Sequence, residues 1–278
     1  MLLHWASSIR SPESICSLNS HYRRILPEYW TNGGDTGRPA CSKWNWKSDR
    51  IAKYTSMLQV YFAENDKEWS KDKLDEMMLP LPYDMRNKIL AYKGWKERQS
   101  RILGKRMLIR LLETFELSMT LGDLKYTEFD KPFLTHAPSP KERGETTNFD
   151  FSIAHSGDMV ICAGIMNAQI GVDIEKILPI ELTDYEDHLT DNEWKHIQHA
   201  PDIQKAFYEI WTKKEAIMKS LGRGIDMELD KLDVSGDTVM YEGSTYWFSP
   251  LAIAHNYIAH IATNKPLNSE SINAERYH

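Results

Sequence analysis

The sequence predicts an α+β fold made of two similar α+β halves, and three observations carry that prediction. Strand-like runs at 58–62, 124–129, 149–163 and 169–175 are interleaved with helical patterns at 83–116 and 203–221, and the stretch after 221 reads mostly as strands. Near the end, Tyr257-Ile258-Ala259-His260-Ile261-Ala262 echoes Val160-Ile161-Cys162-Ala163-Gly164-Ile165, as two related halves would. The chain has 278 residues, 41% of them apolar, which suffices for one large or two small cores.

Residues 1–56 contain Pro12, Pro27, Pro39 and Asn32-Gly33-Gly34-Asp35 and sustain no apolar period, so they read as an N-terminal extension. Trp5, Trp30, Trp44 and Trp46 argue against full disorder and for an add-on packed on the core. Met57 directly precedes the first strand, Leu58-Gln59-Val60-Tyr61-Phe62, which leaves open that the extension lies upstream of the native start. The first half then covers 57–166 and the second, with the acidic motifs, 167–278.

The helical pattern from Tyr83 to Glu116 places Ile89, Tyr92, Ile102, Leu103, Met107, Leu108, Leu111 and Leu112 at helical spacing, with a break near Gly94. Leu124 to Phe129 reads as a strand and Pro132 to Thr147 as a loop. Phe149, Phe151 and Ile153 alternate with Asp150, Ser152 and Ala154, then pass through Ser156-Gly157-Asp158 into an apolar run, the pattern of a hairpin.

Charge and composition exclude several functions. A net charge of −6 does not favour wholesale nucleic-acid binding, so an anion site has to be local. One such excess exists: from Asp84 to Arg110 there are nine basic residues against two acidic ones. It reads either as a solvated helix face or as a phosphate site. The three cysteines form no CxxC pair, which excludes zinc knuckles and a disulfide framework and suits a reducing cytosol. No run approaches the ~20 apolar residues of a membrane span, and a cytoplasmic protein without membrane or nucleic-acid partners is expected.

Three segments carry chemistry. In Ile170-Gly171-Val172-Asp173-Ile174-Glu175, strand alternation sends Gly171, Asp173 and Glu175 to one face. The two acids lie about 7 Å apart along the backbone and can converge on one hard cation, with Gly171 leaving room for a ligand. In the helix 203–221, Phe207, Ile210, Trp211, Ile217, Met218 and Leu221 form an apolar arc, with Glu215 and Lys219 one turn apart on its flank. Gly222-Arg223-Gly224 closes that helix with a permissive C-cap. His155 ends a hairpin strand at the turn. Each alone has a bland reading as surface charge or a satisfied turn residue. Together they are what a diphosphate with a divalent cation requires.

These residues resemble the 4'-phosphopantetheinyl transferases, specifically the surfactin-synthetase-activating type. Three motifs match in order and spacing: Phe151-Ser152-Ile153-Ala154-His155-Ser156, then Ile170 to Glu175, then Phe207-Tyr208 with Trp211-Thr212, Lys214-Glu215-Ala216, Lys219 and Gly222-Arg223-Gly224. The likeness covers Met57 to Lys265. It implies two α+β halves with the active site in the cleft between them. It also implies a Mg²⁺-dependent enzyme, a monomer, that moves the phosphopantetheine arm of coenzyme A to a serine of an apo acyl- or peptidyl-carrier protein and releases 3',5'-ADP. By the motif match Asp173, Glu175 and Glu215 would hold the metal, and Glu215 would also take the serine proton. Lys219 would contact the diphosphate, and His155 the 3'-phosphate, with Lys88 and Arg86 or Arg101 as further basic contacts. The alternatives are a coenzyme A-binding paralogue without transfer and a metal-dependent diphosphate hydrolase.

Three positions depart from the family pattern. Asp130-Lys131-Pro132 stands where many members have Gly-Lys-Pro, and Ala154 stands where a serine is usual, removing a hydroxyl that could contact coenzyme A. Counting back from Gly104, the first family lysine of the basic helix falls on Met85.

Overall fold

In a computed structural model, residues 58–135, 149–222 and 228–278 are described. The readings of 1–57 and of Arg223-Gly224 fall outside them. The first strand, β1 (Leu58–Glu64), is followed by three helices: α1 (Lys71–Met78), α2 (Tyr83–Leu90) and α3 (Trp95–Thr114). The break expected near Gly94 is there, with Gly94 as the N-cap of α3. Helix α1 has little signature in the sequence, since its one-sided apolar content is only Leu74, Met77 and Met78; the Ser70 hydroxyl caps it by accepting from Lys73 N.

Next comes a small hairpin, β2 (Leu124–Tyr126) and β3 (Pro132–Leu134). The second strand lies where a loop was expected. The turn explains it: Asp130 has φ +59°, the left-handed region that glycine enters freely and aspartate tolerates. Thr127 N donates to Lys131 O and Asp130 N to Thr127 O, closing the turn without a glycine.

The expected hairpin forms from β4 (Phe149–Ser156) and β5 (Met159–Met166), with Gly157 at φ +56° in its turn. Then follow β6 (Ile170–Lys176), α4 (Asp191–Gln198), α5 (Ile203–Leu221), β7 (Thr238–Tyr241), β8 (Ser244–Pro250), β9 (Tyr257–Thr263) and β10 (Ile272–Arg276). Helix α5 has the bounds read from its apolar arc. The Asp202 carboxylate caps its start, and Gly222, at φ +67°, ends it.

The strands form two four-stranded sheets, ordered β10-β1-β5-β4 and β6-β9-β8-β7. In each sheet a first strand runs into a long helix and then a hairpin, whose second strand pairs antiparallel with the first. Strands β5 and β9 hold equivalent central places, so the echo between their sequences marks equivalent strands. One boundary needs correcting. Strand β10 lies within 167–278 yet pairs in parallel with β1, Leu58 opposite Ile272, and so completes the first sheet.

The two sheets meet along β4 and β6. Both are edge strands, and β6 keeps a row of N–H groups that β9 does not use. Side chains of β4 accept them: Asp150 Oδ2 from Ile170 N at 2.9 Å, Ser152 Oγ from Val172 N at 3.0 Å and Ser156 Oγ from Lys176 N at 3.1 Å. Ala154 occupies the remaining place in this row. On that alternation a serine there faces the β6 backbone, while His155 lies on the opposite side of β4.

A shared apolar layer lies between the sheets, with Leu58, Val60, Ala154 and Ile161 against Ile170, Val172 and Ile174. Helix α3 buries Ile102, Met107, Leu108 and Leu111 on the outer face of the first sheet. Helix α5 buries Phe207, Ile210, Ile217 and Met218 on that of the second. No helix among the described residues is long and apolar enough to cross a membrane.

Candidate active site

Alternation along β6 resolves as the pattern required. Ile170, Val172 and Ile174 enter the inter-sheet layer, while Gly171 and Asp173 face α5. The expected room beside Gly171 is absent, however. A Cβ there would lie 1.8 Å from Ala216 O and 2.5 Å from Ser220 N, so the helix backbone itself fills the space. Gly171 serves strand–helix contact and leaves no gap for a ligand.

That close contact sets the acids against the helix. Asp173 is buried, and its Oδ1 accepts from Lys219 Nζ at 2.5 Å, while its buried Oδ2 has no partner. Lys219 Nζ is also 4.0 Å from Glu215 Oε2, and both side chains are part-exposed at the rim, as the flank position required. Glu175 Oε2 accepts from Ser156 Oγ at 2.6 Å. The same hydroxyl accepts from the β6 backbone, so Ser156 orients Glu175 from the neighbouring sheet. The motif alone assigns Ser156 no role; strand alternation, which turns it to the face opposite His155, is the signal for one.

The electrostatics mark one shared field. Burial raises the Asp173 carboxyl to about 7, against the pull of Lys219, and Glu175 and Glu215 push it the same way. Burial likewise raises Glu175, opposed by Ser156 and Lys219. Burial works against the Lys219 ammonium, but Asp173, Glu215 and Glu175 outweigh it and hold its pKa above the ordinary value. Among the described residues no three His, Cys, Asp or Glu side chains close into a metal-binding group. The Lys219 ammonium stands between Asp173 and Glu215, and the buried Asp173 Oδ2 is an acceptor without a partner. Three carboxylates, one of them with an orphaned oxygen, are a donor set suited to a hard divalent cation.

His155 lies at the end of β4 on the face towards α3. Burial lowers its pKa; Glu97 opposes the fall, and Arg101 and Lys219 add to it. Its charged neighbours are thus Glu97 and Arg101 of α3 and Lys219 of α5. Arg101 is paired with Glu97 at 2.7 Å and stacks over the Tyr92 ring at 4.0 Å. The structure does not bring Arg86 and Lys88 into this group. Arg86 donates to Leu81 O at 2.7 Å and Leu79 O at 3.2 Å, bracing the turn before α2, and Lys88 is exposed on α2.

Supporting side chains lock the helix. Lys131 Nζ donates to Ser220 O at 2.8 Å and to Asp150, holding the C-terminal end of α5 to the first sheet. Lys214, fully buried, donates to Leu229 O, Leu232 O and Glu193 Oε2 at 2.6–2.8 Å. Beside Asp173 in register, His260 shares Thr212 Oγ1 at 2.8 Å. That hydroxyl gives its proton to Tyr208 O, so His260 Nδ1–H is the donor.

Burial, with Lys213 adding, depresses the His260 pKa to about 4 from its ordinary value near 6.5. Between these values the unfolded chain binds a proton on His260 that the folded chain refuses, so this histidine's contribution to stability falls as pH drops from about 6.5 towards about 4. The slope is about 1.4 kcal/mol per pH unit. The Asp173 carboxyl, raised to about 7, takes up a proton on folding in the same window and works the other way, so the signature is the difference between two chains: from pH 7 to 5.5, denaturant unfolding is expected to show the parent losing stability relative to His260→Gln. Equal slopes would refute it.

A family model described as the 4'-phosphopantetheinyl transferase superfamily matches residues 169–249, which include Asp173, Glu175, Glu215 and Lys219. Over 181 residues the chain is 28% identical to 4'-phosphopantetheinyl transferase ffp of Bacillus subtilis, covering 64% of this chain and 76% of that protein. It is 26% identical over 188 residues to 4'-phosphopantetheinyl transferase Sfp of Bacillus subtilis strain 168, with the same coverages of 64% and 76%. The human L-aminoadipate-semialdehyde dehydrogenase-phosphopantetheinyl transferase is 29% identical over 140 residues, covering 46% of this chain and 44% of that one.

Proposed function

We infer that this chain, which belongs to the 4'-phosphopantetheinyl transferase superfamily, moves the phosphopantetheine arm of coenzyme A onto a serine of an apo carrier protein and releases 3',5'-ADP. The observation that carries the reading is the convergence of Asp173, Glu175, Glu215 and Lys219 on one field, all within the matched segment.

In the proposed reaction the serine oxygen bonds to the phosphorus that carries the pantetheine arm, and the bridging P–O bond of the diphosphate breaks. Glu215, part-exposed at the rim, takes the serine proton. An unperturbed carboxylate is a weak base for an alkanol, so alignment of the hydroxyl contributes more than basicity. Lys219 is held protonated by Asp173 and Glu215 and offers its ammonium to the diphosphate oxygens. Ser156 fixes Glu175, and the helix lock through Lys131 keeps Lys219 and Glu215 in register with the strand. Asp173, Glu175 and Glu215 are the residues that would hold Mg²⁺, which when bound offsets the charge developing on the leaving phosphate.

Incubation with coenzyme A, Mg²⁺ and an apo carrier protein is expected to add ~340 Da to the carrier serine, the mass of the transferred arm. A broad panel of carriers with no such gain would overturn the reading. Release of free phosphopantetheine without a carrier would mark a hydrolase instead.

A further inference from the structure

The structure engages most of the basic stretch from Arg86 to Arg110 in local duties. Arg86 and Arg98 donate to backbone carbonyls, Lys96 pairs with Asp158, Arg101 with Glu97 and Arg110 with Glu113, and Arg106 donates to the Tyr277 hydroxyl. Lys88 and Lys93 are exposed. Lys105 differs from all of these. It is partly buried, and among the described residues it makes no hydrogen bond or ion pair; its one contact of that kind is with the face of Tyr126, 5.9 Å from Nζ.

Its place is set by the packing of α3 on β4. A Cβ at Gly104 would lie 2.9 Å from Ile153 Cγ2, so the helix crosses the edge strand two residues before His155, on the face that His155 shares. Lys105 and Arg101 are one turn apart on the helix, and Ile153 and His155 one repeat apart on the strand, so the two pairs run alongside each other. Hairpin β2–β3 reaches Lys105 through Tyr126. Arg101 links the two ends of this group: it is a charge neighbour of both Lys105 and His155, with the exposed rings of Tyr92 and Tyr126 beside it and Lys105.

A partly buried ammonium without an anion pays desolvation with no return. Burial lowers the Lys105 pKa accordingly; the buried Cys162 thiol opposes the fall and Arg101 adds to it. A phosphate dianion would supply the missing partner, and aromatic faces beside it suit a purine nucleotide. We propose that Lys105 is a specificity-determining contact for the 3'-phosphate of coenzyme A, completing with Arg101 and His155 the site for its nucleotide end. This rests on the transferase reading, which supplies the 3'-phosphorylated nucleotide. It moves the basic contacts from Arg86 and Lys88 to a residue two to three turns into the next helix.

The test is calorimetric binding of 3',5'-ADP and of AMP, which lacks the 3'-phosphate, to the full chain. The parent is expected to prefer 3',5'-ADP. Lys105→Met is expected to lose about tenfold or more in affinity for 3',5'-ADP, the effect of one charge-assisted hydrogen bond, and little for AMP, while Lys105→Arg keeps most of the preference. Met retains the buried stem, so its thermal midpoint should equal or exceed the parent's; Lys105→Gln is the second neutral variant should Met fail to fold. Equal losses for both nucleotides, no loss for 3',5'-ADP, or a parent without preference would overturn the proposal. A parent that binds in the expected way but modifies no carrier would sink the transferase reading and leave this one standing.

Discussion

Glu215→Gln is expected to lower the turnover of carrier modification by at least about 100-fold while leaving the fold intact. Glu215 is part-exposed, and its recorded pairing is a 4.0 Å approach to Lys219, so the exchange removes a charge without opening a cavity or orphaning a buried group. Gln keeps the shape and both polar atoms, but its amide cannot take a proton from the serine. It also removes one carboxylate from the set that would hold Mg²⁺ and one of the charges that keep Lys219 protonated. The expected signature is a fall in kcat with an unchanged thermal midpoint, read from the rate of the carrier mass shift and from a melting curve. Near-parent turnover would remove Glu215 from the mechanism. An equally inactive but unfolded variant would show that its role had been structural.

How much of this site is visible in the sequence depends on how local each arrangement is. The period of the α5 arc and the alternation in β6 are properties of single elements, so the face shared by Asp173 and Glu175 and the flank position of Glu215 and Lys219 follow directly from the chain. Long-range pairings do not. The bond from Ser156 to Glu175 joins two sheets, and strand β10 returns across the molecule to β1, with no short-range pattern announcing either. Local charge counts mislead in another way. Nine basic residues between Asp84 and Arg110 mark the region but not the residue, because carbonyls and carboxylates of neighbouring turns engage most of them. Asp130, which stands where many members of the family have Gly, shows the reverse: it takes the left-handed backbone that glycine enters freely, and the turn closes.

Gly171→Ala is expected to be the most damaging single-methyl change in the described chain. The added Cβ would sit 1.8 Å from Ala216 O and 2.5 Å from Ser220 N, and both atoms are helix backbone that no rotamer change can move aside. The other small residues here, Ala216 and Ala262, the latter opposite Gly171 in register, show that α5 rests on the sheet at the least separation the side chains permit. Relief therefore requires the helix to lift from β6, at a cost of about 3 kcal/mol or more, since overpacking against rigid atoms cannot be absorbed locally. A fall in thermal midpoint on the order of 5–10 °C is expected. Activity is expected to fall further than stability alone dictates. The strand bearing Asp173 and Glu175 and the helix bearing Glu215 and Lys219 keep their spacing through this contact, so the 2.5 Å bond from Lys219 to Asp173 opens with it. Melting curves and carrier modification measured well below the midpoint separate the two effects. An unchanged midpoint would show that the strand and helix do not meet at Gly171, and with that the packing that assembles the acids would fail.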